Sequence, residues 1–314
     1  MKIVIAGGSG FLGRALARAL AADRHDVVIL SRHSGNSADI GRRVIWQPDG
    51  SAPPPEAGQP TGWARDVDGA DAIVNLAGAG IADRRWTTSR KHTLAESRRS
   101  STRSLVAAMR AAARRPAVFI LNAGVGYYGL SGDEVLDESA PPGSDFLARL
   151  CVDWEAEARA TEGLGARLVI LRTGVVLARD GGALKRLIPP FLMFAGGPIA
   201  SGRQYLSWID RDDWIALVVW ALTNPSVSGA FNATAPEPVT NTAFSKALGS
   251  ALHRPSWLTV PAFALRALVG EIADAGLING QRVVPRRAQS LGFVFRYGQI
   301  DAALRHAVLP ATDR

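Results

Sequence analysis

The sequence predicts an α/β protein: a doubly wound parallel sheet followed by a smaller, mainly helical C-terminal domain. Three observations carry that expectation. Short apolar runs alternate with stretches whose apolar residues recur at helical spacing. A glycine-rich loop joins the first such run to the first such stretch. The alternation lapses after about residue 175, where glycines and prolines crowd the chain. Strands separated by helices imply right-handed crossovers, and hence a parallel sheet covered on both faces.

The elements follow in order. Residues 2–6 (KIVIA) are a short apolar run, the first strand, and FLGRALARALAA (11–22) is an amphipathic helix. Asp26–Leu30 and Arg43–Trp46 read as the second and third strands. Five prolines and three glycines within 48–62 make that stretch an exposed loop. Asp71–Leu76 is the fourth strand, 87–114 a long basic helix and Ala117–Asn122 the fifth strand. Phe146–Thr161 is amphipathic, and Ala166–Arg172 is the sixth strand. Gly181–Gly182, Pro189–Pro190 and Gly196–Pro198 then punctuate 180–202. Tyr205–Trp208, a helix from Arg211 to about Leu222, and Gly229–Ala233 return to the sheet domain, while 236–314 reads as short helices around Pro255, Pro261 and Pro285. The expected boundaries are 1–175 plus about 205–235 for the sheet domain, and 176–204 with 236–314 for the smaller one.

Composition narrows the function classes. With 314 residues, 47% of them hydrophobic and 20% charged, the chain has material for a large core. No run approaches the ~18 apolar residues that a membrane span needs. The N-terminus passes from a short strand straight into glycines, unlike a cleavable signal. The one cysteine, Cys151, cannot form an internal disulfide, which points to the cytoplasm. The net charge of +8 raises a nucleic-acid partner, but the arginines are scattered apart from Arg84, Arg85, Arg90, Lys91, Arg98, Arg99 and Arg103. No aromatic residues interleave with that cluster as a base-stacking platform would require. The expectation is a small-molecule substrate, no nucleic acid, no membrane, and a monomer or homodimer. The five histidines (25, 33, 92, 253, 306) show no ligand-like spacing, so no metal site is expected.

Residues 7–13, Gly-Gly-Ser-Gly-Phe-Leu-Gly, follow the first strand and open a helix, the context of a Rossmann-type dinucleotide loop. Both Gly8-x-Gly10-x-x-Gly13 and Gly7-x-x-Gly10-x-x-Gly13 fit. The glycines permit a tight turn, a close approach to pyrophosphate and tight packing of helix on strand, and the helix N-terminus offers free N–H groups to phosphate. An NAD site wants an acid at the end of the second strand, on the ribose hydroxyl. That strand ends Leu30-Ser31-Arg32-His33, with no Asp or Glu between Asp26 and Asp39. Arg32 can instead pair with a 2′-phosphate, with Ser31 adding a hydrogen bond. The expected cofactor is NADP(H).

Gly7-x-x-Gly10-x-x-Gly13 together with Asn75-Leu76-Ala77-Gly78 resembles the extended short-chain dehydrogenase/reductase superfamily. RRW at 84–86, GYYG at 126–129, LRTGVVLA at 171–178 and GGPIASGRQYLSWI at 196–209 narrow it. They resemble the sugar-nucleotide-epimerase-like (NAD-dependent epimerase/dehydratase) subfamily. Its characteristic C-terminal domain has counterparts in RPSWLTVPAFALRALVGE (254–271) and NGQRVVPRRAQSLGFVFRY (279–297), so the likeness spans nearly the whole chain. The resemblance implies that Gly7, Ser9, Gly10, Phe11 and Leu12 wrap the pyrophosphate. It puts Leu76, Ala77 and Gly78 on the adenine-ribose side, and Arg172, Thr173, Gly174 and Val175 near the nicotinamide.

Hydride-transferring members of that superfamily use a Tyr-x-x-x-Lys pair on the helix after the fifth strand. There the ammonium lowers the pKa of a phenol that exchanges a proton with substrate. No such pair exists here: four positions after Tyr127, Tyr128, Tyr205 and Tyr297 stand Ser131, Gly132, Ile209 and Asp301. The helix carries Cys151 and Glu155 at that spacing, but a carboxylate raises a thiol's pKa, so Cys151 reads as a small buried residue. The helper serine is also missing, at Ala123. Tyr127 and Tyr128, on the loop after the fifth strand, are the candidate proton donors, with Arg203 as electrostatic partner. Arg203, Gln204, Tyr205 and Trp208 are the candidate substrate contacts. Two functions stay open: a reductase- or epimerase-like enzyme with non-standard acid/base residues, and a catalytically degenerate NADP(H)-binding sensor or regulator.

Overall fold

The computed structural model describes residues 1–34 and 40–309. The chain opens with β1 (Lys2–Ala6), α1 (Phe11–Ala22), β2 (Asp26–Ser31), β3 (Arg42–Ile45) and a short α2 (Ala64–Val67). Then come β4 (Ala72–Asn75), α3 (Thr88–Ala111), β5 (Val118–Gly124), β6 (Val135–Leu136), α4 (Phe146–Arg159) and β7 (Arg167–Thr173). After these lie β8 (Val175–Leu177), α5 (Leu184–Leu192), β9 (Tyr205–Leu206), β10 (Trp208–Asp210), α6 (Arg211–Thr223) and β11 (Gly229–Ala233). The chain ends with β12 (Val239–Thr240), α7 (Asn241–Ala251), α8 (Ala262–Val269), β13 (Arg282–Val283), α9 (Arg286–Ser290) and α10 (Ile300–Val308).

Seven parallel strands form one sheet in the order β11-β7-β5-β4-β1-β2-β3. The order reverses between β1 and β4, whose ends pair at Ala6 and Asn75. In open α/β sheets the ligand crevice lies beyond the carboxyl ends of the strands at such a reversal. Leu16, Leu20, Trp214 and Leu217 of α1 and α6 cover one face, and Leu105, Met109 and Trp154 of α3 and α4 the other. Each such side chain withdraws roughly 1.5–3 kcal/mol worth of apolar surface from water. The strands are therefore near-continuous apolar runs, as a sheet buried on both faces requires.

The strand ends differ from the sequence expectation by one or two residues. The larger differences lie after residue 175, where β8 pairs with β10 and β9 with β12. β13 pairs with β6. Pairs this short leave no periodicity to read. Pro189 and Pro190 do not break the chain but sit inside α5, held because Leu184, Ile188 and Phe191 share one buried stripe. That stripe packs with Phe244, Leu248, Leu304 and Trp208 in a third core cluster made by α5, α7, α10 and β10. Among the described residues no helix is long and apolar enough to cross a membrane.

Candidate functional site

The loop after β1 is shaped by its glycines. Gly7 takes a left-handed φ of +79°, and a Cβ there would lie 2.9 Å from the Leu76 carbonyl. That close approach joins the loops after β1 and β4. A Cβ on Gly13 would overlap the backbone of Gly7 and Gly8, so α1 can rest on the loop only with glycine there. Gly10 is exposed, and a Cβ on it would meet only the Gly7 carbonyl, at 3.2 Å. No side chain caps α1, whose first-turn N–H groups are thus left for a ligand. Phe11 packs its ring against Gly181 and Gly182, and Leu12 is half-buried beside the sheet core.

At the end of β2 the Ser31 hydroxyl is buried and donates to the His33 carbonyl (3.1 Å) and to Ser9 Oγ (3.3 Å). Ser9 and Ser31 therefore meet at the end of β2, and Arg32 is the next residue along the chain. Arg32 is exposed, with no ion pair or side-chain hydrogen bond among the described residues.

The loop after β4 is held from α3. Asn75 Oδ1 accepts from the Ala77 N–H (3.1 Å), its Nδ2 donates to Thr102 Oγ1 (3.0 Å), and Ser97 Oγ accepts from the Ala79 N–H (3.0 Å). Arg98 Nη1 donates to the carbonyls of Ala79 (3.1 Å) and Leu94 (3.0 Å). These bonds fix Leu76, Ala77 and Gly78 along the crevice next to the glycine loop.

The loop after β5 behaves differently from its sequence reading. Tyr128 is only 3% exposed; its hydroxyl donates to Asn232 Oδ1 (2.7 Å) and accepts from Arg172 Nη1 (3.0 Å). Buried, with its one O–H already given to Asn232, Tyr128 has no proton facing the crevice, a correction to its candidacy as proton donor; burial also pushes this phenol up to about 12. Arg172 turns inward. Its buried side chain forms a bidentate pair with Glu155, both bonds 2.9 Å. Burial alone would lower the Arg172 pKa, but the Glu155 bonds and charge raise it. The electrostatic neighbour of half-buried Tyr127 is this same Arg172, with Cζ 3.3 Å from the ring centroid, in place of the expected Arg203. Cys151 is buried, its Sγ 3.7 Å from the Gly124 carbonyl, and burial followed by the Glu155 charge pushes the thiol up to about 12.

At the end of β7, Thr173 Oγ1 donates to Asn122 Oδ1 (2.6 Å), and Trp214 Nε1 donates to Thr173 Oγ1 (3.2 Å). The N–H groups of Gly174 and Val175 already serve the Ala233 and Ser207 carbonyls, so these residues can offer a ligand surface but no N–H. The expected substrate set does not assemble. Trp208 is fully buried and donates to the Glu237 carbonyl, a correction explained by its place in the third core cluster. Gln204 Nε2 donates to the carbonyls of Ile199 and Leu277 while its Oε1 is buried without a partner. Tyr205 lies under Arg282, and Arg203 is exposed.

Much of the basic cluster is spent within the molecule. Arg99 pairs with Asp153, Arg103 with Glu157 and Lys91 with Glu271, while Arg85 donates to the Ala267 and Leu268 carbonyls. The Asp212-Asp213 pair lies in the first turn of α6, as expected of carboxylates at a helix start. Asp210 and Asp212 flank His306 at 3.0 and 3.3 Å, tying α10 to that turn. Sequence reasoning missed the Glu155–Arg172–Tyr128–Asn232 chain and the interior place of Arg98. Counting 94, 98, 101, 102 and 105 along α3 as one inward face was the available signal for Arg98.

Comparison with known proteins follows the same geometry. Residues 3–233 match the model of the NAD dependent epimerase/dehydratase family, and residues 260–307 match a domain of unknown function, DUF1731. The chain is 42% identical over 307 residues to the Arabidopsis thaliana "epimerase family protein SDR39U1 homolog, chloroplastic", covering 97% of this chain and 86% of that protein. It is 36% identical over 310 residues to the Bacillus subtilis epimerase family protein YfhF, covering 98% of each. A crystal structure of human epimerase family protein SDR39U1 with NADPH superimposes with a TM-score of 0.85 at 33% identity, covering 98% of this chain and 99% of that one.

Proposed function

The chain belongs to the NAD-dependent epimerase/dehydratase family, and from that premise we propose that it binds NADP(H) and acts on a small molecule as a reductase- or epimerase-like protein. One observation carries the cofactor choice: the uncapped N-terminus of α1 opens at exposed Gly10, Ser9 meets Ser31, and the next residue, Arg32, is exposed and unpaired among the described residues. The glycine positions fit a dinucleotide loop because Gly13 lets α1 rest on the loop and Gly7 lets the loop approach the Leu76 carbonyl. The NADPH bound to the human relative supports the same reading. When bound, the nicotinamide supplies reversible hydride transfer. The first-turn N–H groups of α1 hold the pyrophosphate, and Arg32 with Ser31 holds the 2′-phosphate.

Proton handling is the weak link. Tyr128 and Cys151 stay neutral, each up at about 12. Tyr127 has a cation against its ring, but an arginine keeps its proton and cannot relay one. Turnover is therefore slow, with Tyr127 the remaining phenol at the crevice edge. The same closed network favours a second reading, a cofactor-binding sensor without chemistry.

Calorimetry with NADPH and NADH tests the cofactor. The preference expected from a charge-assisted phosphate contact is about tenfold or more, and Arg32→Ala removes most of it. Equal affinities in the unaltered protein overturn it. NADPH absorbance followed across carbonyl compounds and sugar nucleotides then separates enzyme from sensor.

A further inference from the structure

We propose that Arg98 is the anion-binding residue of the crevice, receiving a carboxylate or phosphate group of the ligand beside the loop 76–79. This inference rests on the reading that the crevice takes a small molecule, and it names that molecule's chemical class: an organic acid or a phosphate ester.

Arg98 sits on the inward face of α3, where Leu94, Ser101, Thr102 and Leu105 are also buried. It is 8% exposed, and an arginine so placed is ordinarily paired with a carboxylate. None is paired with it among the described residues. The acids of the facing helix are committed elsewhere: Asp153 to Arg99, Glu157 to Arg103 and Glu155 to Arg172. Among the described residues Nη1 donates to two carbonyls and the buried Nε has no partner. The Trp154 ring, 5.1 Å from Cζ, gives the cation a modest partner. Burial, with Arg90 as a like-charged neighbour, lowers the guanidinium to about 10, the mark of a cation whose charge is poorly compensated.

Bracing the loop does not account for the charge. Asn75, Ser97 and Ser101 already hold residues 77–79 with neutral groups. The position does account for it. Exposed Gly78 covers the guanidinium, and a Cβ there would lie 3.2 Å from Arg98 Cγ and Cζ and 3.3 Å from Nη1. A ligand lying against Gly78 at the sheet reversal is therefore separated from the cation by no more than this one side-chain-free residue. Beside it, Ala79, Ile81, Trp86, Phe146 and Tyr127 form a half-buried apolar wall over Leu94, Leu150 and Cys151. A cation next to an aromatic wall suits a ligand with one acidic group on an apolar body. The lysine missing from α4 is answered, in charge, by an arginine on α3.

The test titrates sodium benzoate and, separately, inorganic phosphate into the full chain, with and without saturating NADPH, by calorimetry. The expected result is saturable one-to-one binding of at least one anion. Arg98→Met and Arg98→Gln lose about tenfold or more of that affinity, the amount expected when a charge-assisted contact goes. Arg98→Lys retains part of it, and NADPH affinity stays within about twofold of wild type in all three. The glutamine variant keeps a donor for the Ala79 carbonyl, so it remains informative if the methionine variant does not fold. Benzoate preferred over phosphate identifies a carboxylate ligand, and the reverse a phosphate. Absence of saturable binding by either anion, or equal binding in wild type and both neutral variants, overturns the proposal. Loss of NADPH affinity with anion binding unchanged assigns Arg98 to the cofactor and overturns it as well. Failure of NADPH to bind wild type refutes the cofactor reading alone, because the anion titration without cofactor still reports on Arg98.

Discussion

Breaking the Glu155–Arg172 pair should be the most costly single polar change in the protein. The two side chains are 4% and 5% exposed and share two hydrogen bonds of 2.9 Å, linking α4 to β7. Replacing one member by leucine strands the other as a buried charge, which costs about 3–5 kcal/mol. That is a large share of the roughly 5–15 kcal/mol by which a domain is stable. Replacing both by leucine removes the stranded charge, so the double variant should be destabilised by well under the sum of the singles. Tyr128 would keep its bond to Asn232 in either case.

Urea unfolding followed by far-UV circular dichroism measures all four proteins, and unchanged slopes would show that the native and denatured states keep their compactness. The expected coupling is at least about 2 kcal/mol, against roughly 0.5 kcal/mol for independent sites. Single losses below about 1 kcal/mol, the range of a surface ion pair, would refute the reasoning. So would strict additivity, because the partners would then be solvated when separated.

Other outcomes follow from the same geometry. Gly10→Val should abolish NADPH binding yet melt near the wild-type temperature, because its Cβ meets only the Gly7 carbonyl; unchanged calorimetric affinity would place the phosphate site elsewhere. Gly13→Val should instead lower the melting temperature, since any side chain there overlaps Gly7 and Gly8; unchanged melting would refute the packing role. Alkaline stability should depend on Tyr128. Its folded phenol, up at about 12, holds a proton that the unfolded chain releases near 10, so stability is full below pH 10 and falls as pH rises to 12. The loss works out to about 2–3 kcal/mol from this residue, and Tyr128→Phe should flatten the decline in urea midpoints across that range. Parallel declines in variant and wild type would show that the phenol is not the cause.

Local chemistry was legible in the sequence, and long-range pairing was not. The glycine loop, the strand–helix alternation and the end of β2 depend on neighbours within a few residues, so spacing reveals them. The start of α6 was legible for the same reason, since Asp210 caps it and Asp212 and Asp213 lie in its first turn. Tyr128 misled because a loop tyrosine at the sheet edge has the same sequence signature whether its hydroxyl meets ligand or Asn232, 104 residues away. Trp208 misled similarly, since pairing of β8 with β10 turns it into the third core cluster. Arg98 was visible only as one member of a basic cluster, although every third or fourth residue around it is buried.

The missing Tyr-x-x-x-Lys pair gains a physical meaning once the face of α4 is in view. Cys151 turns to the Gly124 carbonyl, Trp154 lies under Arg98, and Glu155 is taken by Arg172. The Cys151 thiol on that face keeps its proton near neutrality, and two guanidinium groups flank it: Arg172 from β7, committed to Glu155, and Arg98 from α3. Arginine differs from lysine in that it stays charged and presents several fixed donors. A guanidinium such as that of Arg98 can hold an oxyanion, but it cannot follow a proton through a reaction. A substrate suited to it would bring its own acidic group or exchange protons with solvent. Arg98 then decides between the two functional readings: an enzyme needs it to meet the reacting molecule, whereas a sensor needs it only to meet an anion.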